Sequence, residues 1–282
     1  MAQTIELASG ALQVRIEGSG PPIVFVHGAL VNGSLWDDVV ARLRSTRRCI
    51  VPEMPLGSHA LPLPPVADRT PRGQARRLAE LLEALDLRDV TLVGNDSGGA
   101  ICQLLVATAP ERVGRLVLTN CDAFETFPPP AFAWLGLLPR LPKVHAVIAH
   151  LLVRLPILAR FRYAYGGLSR RRISAEQLRA WLEPGRSPAI RADVAGFVAG
   201  AGPQVLPKVV PALRRFDRPV LIAWGADDPF FLPSLAERLA ETFPRAIHRP
   251  IHGASTFVAL DAPEALAAEI DRWWSASGEA AA

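Results

Sequence analysis

The sequence predicts an α/β protein: a mostly parallel sheet with helices on both faces, divided by a helical insertion. Three observations lead there. The runs IVFVH (Ile23–His27), RLVLTN (Arg115–Asn120) and PVLIAW (Pro219–Trp224) are largely apolar, as strands covered on both faces must be. These runs alternate with segments of helical spacing, which parallel strands need as crossovers. The alternation stops after Cys121, where FPPPAFAWLGLLPRLPKVHAVIAHLLVRLPILARF begins a stretch rich in proline, apolar residues and arginine. Helical patterns continue there to about Val210. The expected organisation is a core over 1–121, a helical cap over 122–210, and the rest of the core over 211–282.

Each element has its own signal. Thr4–Leu7 and Leu12–Ile16 alternate like an antiparallel hairpin, and Ile23–His27 is the first buried strand. Asn32–Arg44 has helical spacing, and Arg48–Val51 is a short strand stopped by prolines. Gln74–Leu85 is an amphipathic helix, Val90–Gly94 a strand and Ile101–Ala109 a helix. Beyond the insertion, Pro219–Trp224 and Ala246–Ile251 read as strands, Pro233–Thr242 and Pro263–Trp274 as helices. The alanine-rich tail after Ser275 is expected to be disordered.

Composition narrows the partners. Half of the 282 residues are apolar and 21% are charged, enough to bury a large core. The net charge is +4 and only Lys143 and Lys208 are lysines. The densest basic run, Arg170-Arg171-Arg172, has no interleaved aromatics, so no nucleic-acid partner is expected. No apolar run reaches the roughly 18 uncharged residues of a membrane span, and MAQTIELASG lacks a leader's apolar core. A cytoplasmic protein without a membrane partner is expected. Cys49, Cys102 and Cys121 show no metal-ligand spacing and read as free buried thiols. No metal or organic cofactor is indicated.

Chemistry gathers at Gly94-Asn95-Asp96-Ser97-Gly98. A strand packed tightly against the following helix leaves no room for side chains beside the apex. The apex residue, Asp96, is then strained and exposed at the carboxyl end of the sheet. The Ser97 N–H points toward an oxyanion, while the Ser97 hydroxyl is one place off the apex. Together with IVFVH-Gly and the later strand–helix units, this turn resembles the nucleophile elbow of the α/β-hydrolase superfamily. The resemblance covers essentially the whole chain and implies eight strands in that family's order. His27-Gly28 resembles the oxyanion-loop motif, with Ala29 giving the second N–H. Trp224-Gly225-Ala226-Asp227-Asp228 resembles the acid loop and places the acid at Asp228. Thr256-Phe257-Val258-Ala259-Leu260-Asp261-Ala262-Pro263-Glu264 resembles the stretch that opens with the family's histidine.

An aspartate at the elbow is similar to the branch of epoxide hydrolases and haloalkane dehalogenases. There a carboxylate attacks carbon, and histidine-activated water cleaves the resulting ester. The family's histidine position is Thr256 here, so residue 256 is expected to face Asp96 without serving as a base. His252, four residues earlier, and His59, after the fourth strand, are the candidate relocated bases, and each also reads as an ordinary loop histidine. Asp228 is the acid or simply a turn residue, and Asp122 a possible relocated acid. Ala29 and Ser97 stand where dehalogenases grip halide with other residues. Epoxide hydrolases use two cap tyrosines; Tyr163 and Tyr165 both fall in the expected cap, but two positions apart they cannot share one helix face, and they also read as residues that pack the cap. Trp36 and Trp224 are expected to pack near the site.

Three functions follow. One is a hydrolase of a hydrophobic small molecule, with Asp96 as nucleophile and a relocated base. The second is a cyclase, isomerase or lyase using Asp96 as general acid and base, since burial raises a carboxyl pKa. The third is a binding protein without catalysis, against which an intact strained elbow argues.

Overall fold

The computed structural model describes residues 2–279. Eight strands form one sheet: β1 (Ala2–Ile5), β2 (Leu12–Glu17), β3 (Pro22–Val26), β4 (Arg48–Pro52), β5 (Val90–Asp96), β6 (Val113–Cys121), β7 (Val220–Gly225) and β8 (Ala246–Ile251). Their order is β1-β2-β4-β3-β5-β6-β7-β8. The β1–β2 and β2–β4 pairs are antiparallel, and the others parallel. This is the eight-stranded, mostly parallel α/β-hydrolase sheet that the motifs implied.

Among the described residues are seven 3-10 helices, Pro130–Arg140 the longest, and ten α-helices: α1 (Asp37–Leu43), α2 (Pro71–Ala84), α3 (Ser97–Thr108), α4 (Pro142–Arg154), α5 (Ala175–Leu182), α6 (Pro188–Gly200), α7 (Val210–Leu213), α8 (Pro233–Thr242), α9 (Val258–Asp261) and α10 (Pro263–Glu279). Helix α2 starts earlier than its apolar pattern because Pro71 fits the first turn and the Thr70 hydroxyl caps the Gly73 N–H at 3.2 Å. Helix α10 runs past Ser275 to Glu279, so part of the tail expected to be disordered is helical. Residues 280–282 lie outside the described residues.

The sheet has a hydrophobic layer on each face. Helices α2, α3 and α8 cover one, with Leu78, Leu104 and Leu239 buried against strand residues such as Val24 and Leu116. Helices α1 and α10 cover the other, burying Val40 and Ile270 with Phe25 and Leu221. Chain order reverses at β3, which has β4 on one side and β5 on the other. Loops leaving two such strands diverge to opposite faces and open a crevice at their carboxyl ends. Asp96 and the His27–Leu30 turn stand there.

Between β6 and β7 the named elements are all helical. The insertion has two parts. Pro128 to Val194 contributes walls to a cavity above the crevice, whereas Leu206, Val209 and Leu213 are buried in the layer that holds α3. No single described helix is long and apolar enough to cross a membrane.

Candidate active site

Asp96 occupies the apex with φ 51° and ψ −131°, a conformation that a non-glycine residue holds only where surrounding structure imposes it. Two glycines make the approach possible. A Cβ on Gly98 would lie 2.3 Å from the Val26 carbonyl oxygen, and one on Gly28 would lie 2.1 Å from Asp96 Oδ2. The Ala29 N–H donates to Asp96 Oδ2 at 3.1 Å. Burial pushes the Asp96 carboxyl up to about 7, against the N–H groups of Ser97 and Ala29, which hold it down; the charge of Asp228 adds to the rise. A carboxyl balanced near neutrality can attack as an anion or pass a proton.

Behind the elbow lies a fixed polar cluster. Asp228 Oδ1 accepts from the backbone of Phe230 (2.8 Å) and Phe231 (3.1 Å). Its Oδ2 accepts from Asn120 Nδ2 and from Thr256 Oγ1, each at 2.8 Å. Asn95 Nδ2 reaches the Thr256 carbonyl at 2.7 Å and so ties residue 256 to the strand that carries Asp96. Burial raises the Asp228 carboxyl despite these donors. Thr256 thus holds the place beside the acid that the motif assigned to it. It is fully buried, it does not line the cavity, and its hydroxyl is engaged by Asp228.

Asp122 sits beside the elbow. Its Oδ2 accepts from Ser97 Oγ at 3.0 Å, and its Oδ1 has no partner. Burial, and then the neighbouring charge of Asp96, push this carboxyl well above its ordinary range. A buried carboxyl left so unsatisfied is stable only when protonated. It is a neutral support to the Ser97 side chain and touches no histidine.

The two proposed relocated bases are elsewhere. His252 stands exposed in the turn after β8 and does not line the cavity. His59 is buried, but its Nδ1 accepts from the Gly57 N–H at 3.2 Å and its Nε2 faces Asp193 Oδ2 at 3.1 Å. Asp193, on α6, also accepts from Leu63 N (2.9 Å) and Arg69 Nε (2.8 Å). Burial raises the Asp193 carboxyl, but these donors outweigh it and hold the group below its ordinary value. His59 therefore fastens the insertion to the core and does not face the reaction centre. His27 is structural too: Nε2 accepts from Met54 N at 2.9 Å, leaving Nδ1–H for the Gly28 carbonyl at 2.8 Å. Trp36 packs on Phe25 with ring centroids 5.2 Å apart and is absent from the cavity wall. Trp224 is likewise held in the core, its indole N–H on the Phe231 carbonyl at 2.9 Å.

The cavity above Asp96 has a volume of about 160 Å³. Ala29, Asp96 and Ser97 form its floor, and Phe132, Leu138, Ile148, Leu152 and Trp181 form apolar walls. Both tyrosines line it. Tyr165 is buried and donates its hydroxyl to the Leu30 carbonyl, while Tyr163 is 60% exposed. Burial, and then Asp96, push the Tyr165 phenol upward, so it stays a neutral donor. Sequence reasoning missed two polar groups in the roof, His145 and Arg191. Burial, then repulsion from Arg191, lowers His145 and keeps it neutral. The inward spacing His145, Ile148, Ala149, Leu152 on one helix was the available signal.

A strained acid at a strand–helix elbow, two N–H donors, a buried acid on the loop after β7 and a helical roof define an enzyme site of the α/β-hydrolase type. The chain belongs to the alpha/beta hydrolase family, whose model matches residues 23–269. It is 29% identical to a cis-3-alkyl-4-alkyloxetan-2-one decarboxylase of Shewanella oneidensis over 243 residues, 82% of this chain and 74% of that one. It is 28% identical to haloalkane dehalogenase 2 of Mycobacterium tuberculosis over 275 residues, 90% of this chain and 88% of that one. Its fold matches an ancestral haloalkane dehalogenase (TM-score 0.80, 20% identity, 98% and 99% of the two chains covered). It also matches a thermophilic esterase from Thermogutta terrifontis (TM-score 0.73, 21% identity, 98% and 99%).

Proposed function

We propose that this enzyme converts a hydrophobic small molecule by a reaction in which Asp96 closes its own cycle, without histidine-activated water. The observation that carries this reading is Thr256, its hydroxyl bound to Asp228 where the motif has a histidine. An ester on Asp96 has no imidazole at that position to activate water for its cleavage. Neither His59 nor His252 reaches the cavity, and His145, the histidine that does, stands in the roof on α4 without a carboxylate among the described residues to orient it. This favours a lyase, isomerase or cyclase over an epoxide-hydrolase-like reaction.

The similarity to the oxetanone decarboxylase suggests a first substrate, a 3,4-dialkyl-oxetan-2-one. The chemistry balances without water. The Asp96 carboxylate attacks C4, the C4–O bond of the ring breaks, and the ring oxygen leaves as a carboxylate on C3. Loss of CO2 then sends the C3–carboxylate electron pair into a C3–C4 double bond, and the C4–O bond to Asp96 breaks. The products are an alkene, CO2 and the original carboxylate. During attack, the Ala29 and Ser97 N–H groups orient the reacting carboxylate, and the apolar walls exclude water.

The test is product analysis in H2¹⁸O with such an oxetanone. Alkene and CO2 in equal amounts, with no labelled hydroxy acid and with both products lost in Asp96→Asn, are expected. A ¹⁸O-labelled hydroxy acid as the main product overturns the reading in favour of hydrolysis.

A further inference from the structure

The outer surface of the insertion differs from the rest of the molecule. Helix α4 is apolar on two faces. Ile148, Ala149 and Leu152 turn in to the cavity, while Val144, Val147 and Leu151, spaced by three and four residues, turn to solvent. A helix of this kind normally has a second apolar surface covering it. The exposed apolar side chains continue along the chain through Leu155, Ile157 and Phe161, and Val147 and Phe161 are each 67% exposed. Trp134, Leu137, Leu141 and Tyr163 add to this surface, while Val66, Leu232 and Ile247, the others among the described residues, are scattered along the chain and need no explanation. Pro142–Arg154 and Pro156–Gly167 are together as apolar as a membrane span, but they meet at 97°.

Along this segment of the chain the charge has one sign. From Thr126 to Ala175 the chain contains no aspartate or glutamate, while Arg140, Lys143, Arg154 and Arg162 are exposed within it. None of these four forms an ion pair among the described residues, whereas Arg42, Arg76 and Arg238 elsewhere have carboxylate partners. Apolar residues edged by unneutralised cations are suited to the boundary between acyl chains and anionic headgroups. Two copies of this face would set cation against cation, which disfavours self-association through it. The surface also meets the cavity: Trp134 and Tyr163 are exposed and line it.

We propose that the insertion seats the enzyme on an anionic lipid bilayer, with α4 lying in the interface. Lipophilic substrate then passes from the acyl layer between Trp134 and Tyr163 to Asp96. The composition-based expectation of no membrane partner excluded a spanning helix, and interfacial docking needs none. The proposal does not depend on which reaction Asp96 performs.

Flotation with vesicles tests it. The protein is mixed with phosphatidylcholine vesicles, or with vesicles that also hold about 30 mol% phosphatidylglycerol, at low salt and at about 0.5 M NaCl. At least tenfold more protein is expected to float with the anionic vesicles, and less at high salt. Val147→Asp/Leu151→Asp changes residues outside the cavity and should abolish flotation. Lys143→Glu/Arg154→Glu keeps the apolar stripe and should weaken it at least tenfold, with circular dichroism showing both variants folded. Asp96→Asn should float like the wild type, which separates this test from that of the reaction. The proposal is overturned if the wild type stays unbound, or if folded variants of both kinds float unchanged. It is also overturned if light scattering shows a dimer that Val147→Asp/Leu151→Asp dissociates while neither vesicle binds.

Discussion

The Thr256 hydroxyl donates to Asp228 Oδ2 at 2.8 Å, so the acid of the site is bonded to a group that cannot act as a base near neutral pH. Restoring an imidazole should restore hydrolysis. For Thr256→His, breakdown of an Asp96 ester is expected to rise by about 10²- to 10⁴-fold. Intact-protein mass after exposure to a small epoxide or alkyl halide reads this directly: the wild type keeps the added mass and the variant sheds it. A larger side chain in this fully buried place costs about 1–3 kcal/mol, so thermal melts accompany the measurement. Equal shedding by both proteins counts against the role given to Thr256.

The Asp96 carboxyl sets the pH dependence. Pushed up to about 7 by burial, it is about half ionised at neutrality and mostly protonated below it. For nucleophilic attack, kcat/KM is expected to rise about tenfold per pH unit below 7 and level off above it. A profile that falls through pH 7 instead assigns Asp96 to proton donation.

The same shift predicts a stability effect. The folded pKa lies above the ordinary 3.8, so the native state keeps a proton that the unfolded chain loses between about pH 4 and 7. The contribution is present in full below that window and is lost as pH rises through it. Asp96→Asn should therefore stabilise the protein by about 1–3 kcal/mol at pH 8 and very little at pH 4. Melting curves at the two pH values check the sign.

Asp228 should matter more to folding than to chemistry. Asp228→Ala removes the acceptor of four hydrogen bonds, from Phe230, Phe231, Asn120 and Thr256. The expected loss is about 2–4 kcal/mol, with kcat of the folded fraction changed less than about tenfold, because the acid has no imidazole to orient. A collapse of kcat by about a thousandfold in folded protein contradicts this.

His59 should behave likewise. His59→Asn is expected to cost about 1–3 kcal/mol by removing a donor to buried Asp193. Single-turnover rates at Asp96 should stay within a few-fold of wild type, and a rate loss without a change in melting temperature argues against a fastening role.

The parts of the fold legible in the sequence were those with local signals. Pro233–Thr242 and Ala246–Ile251 carry clean periodicity and flanking turns, and both stand where that pattern places them. The glycines beside Asp96 announced the elbow because only glycine allows such close backbone approach. The missing base was less legible. His252 is near Thr256 in sequence, but the turn after β8 directs it to solvent, and chain proximity does not encode direction. His59 was placed at the correct end of the sheet, yet its partner Asp193 lies 134 positions away. His145 went unnoticed because α4 is apolar on two faces, so its pattern alone does not tell which one lines the cavity, and Arg191, on α6, reaches the same cavity only through the tertiary fold.

Asp193 has a mechanical consequence. Bonded to His59, Leu63 and Arg69, it pins α6 to loops of the core. The roof is laced to the core on several sides: Ser34 holds Gln177 and Trp181, the Tyr165 hydroxyl bonds the Leu30 carbonyl, and Asp261 holds Ser169. Access to Asp96 is then a matter of the Trp134 and Tyr163 side chains, which are exposed where they line the cavity, so entry can change while the floor stays as it is.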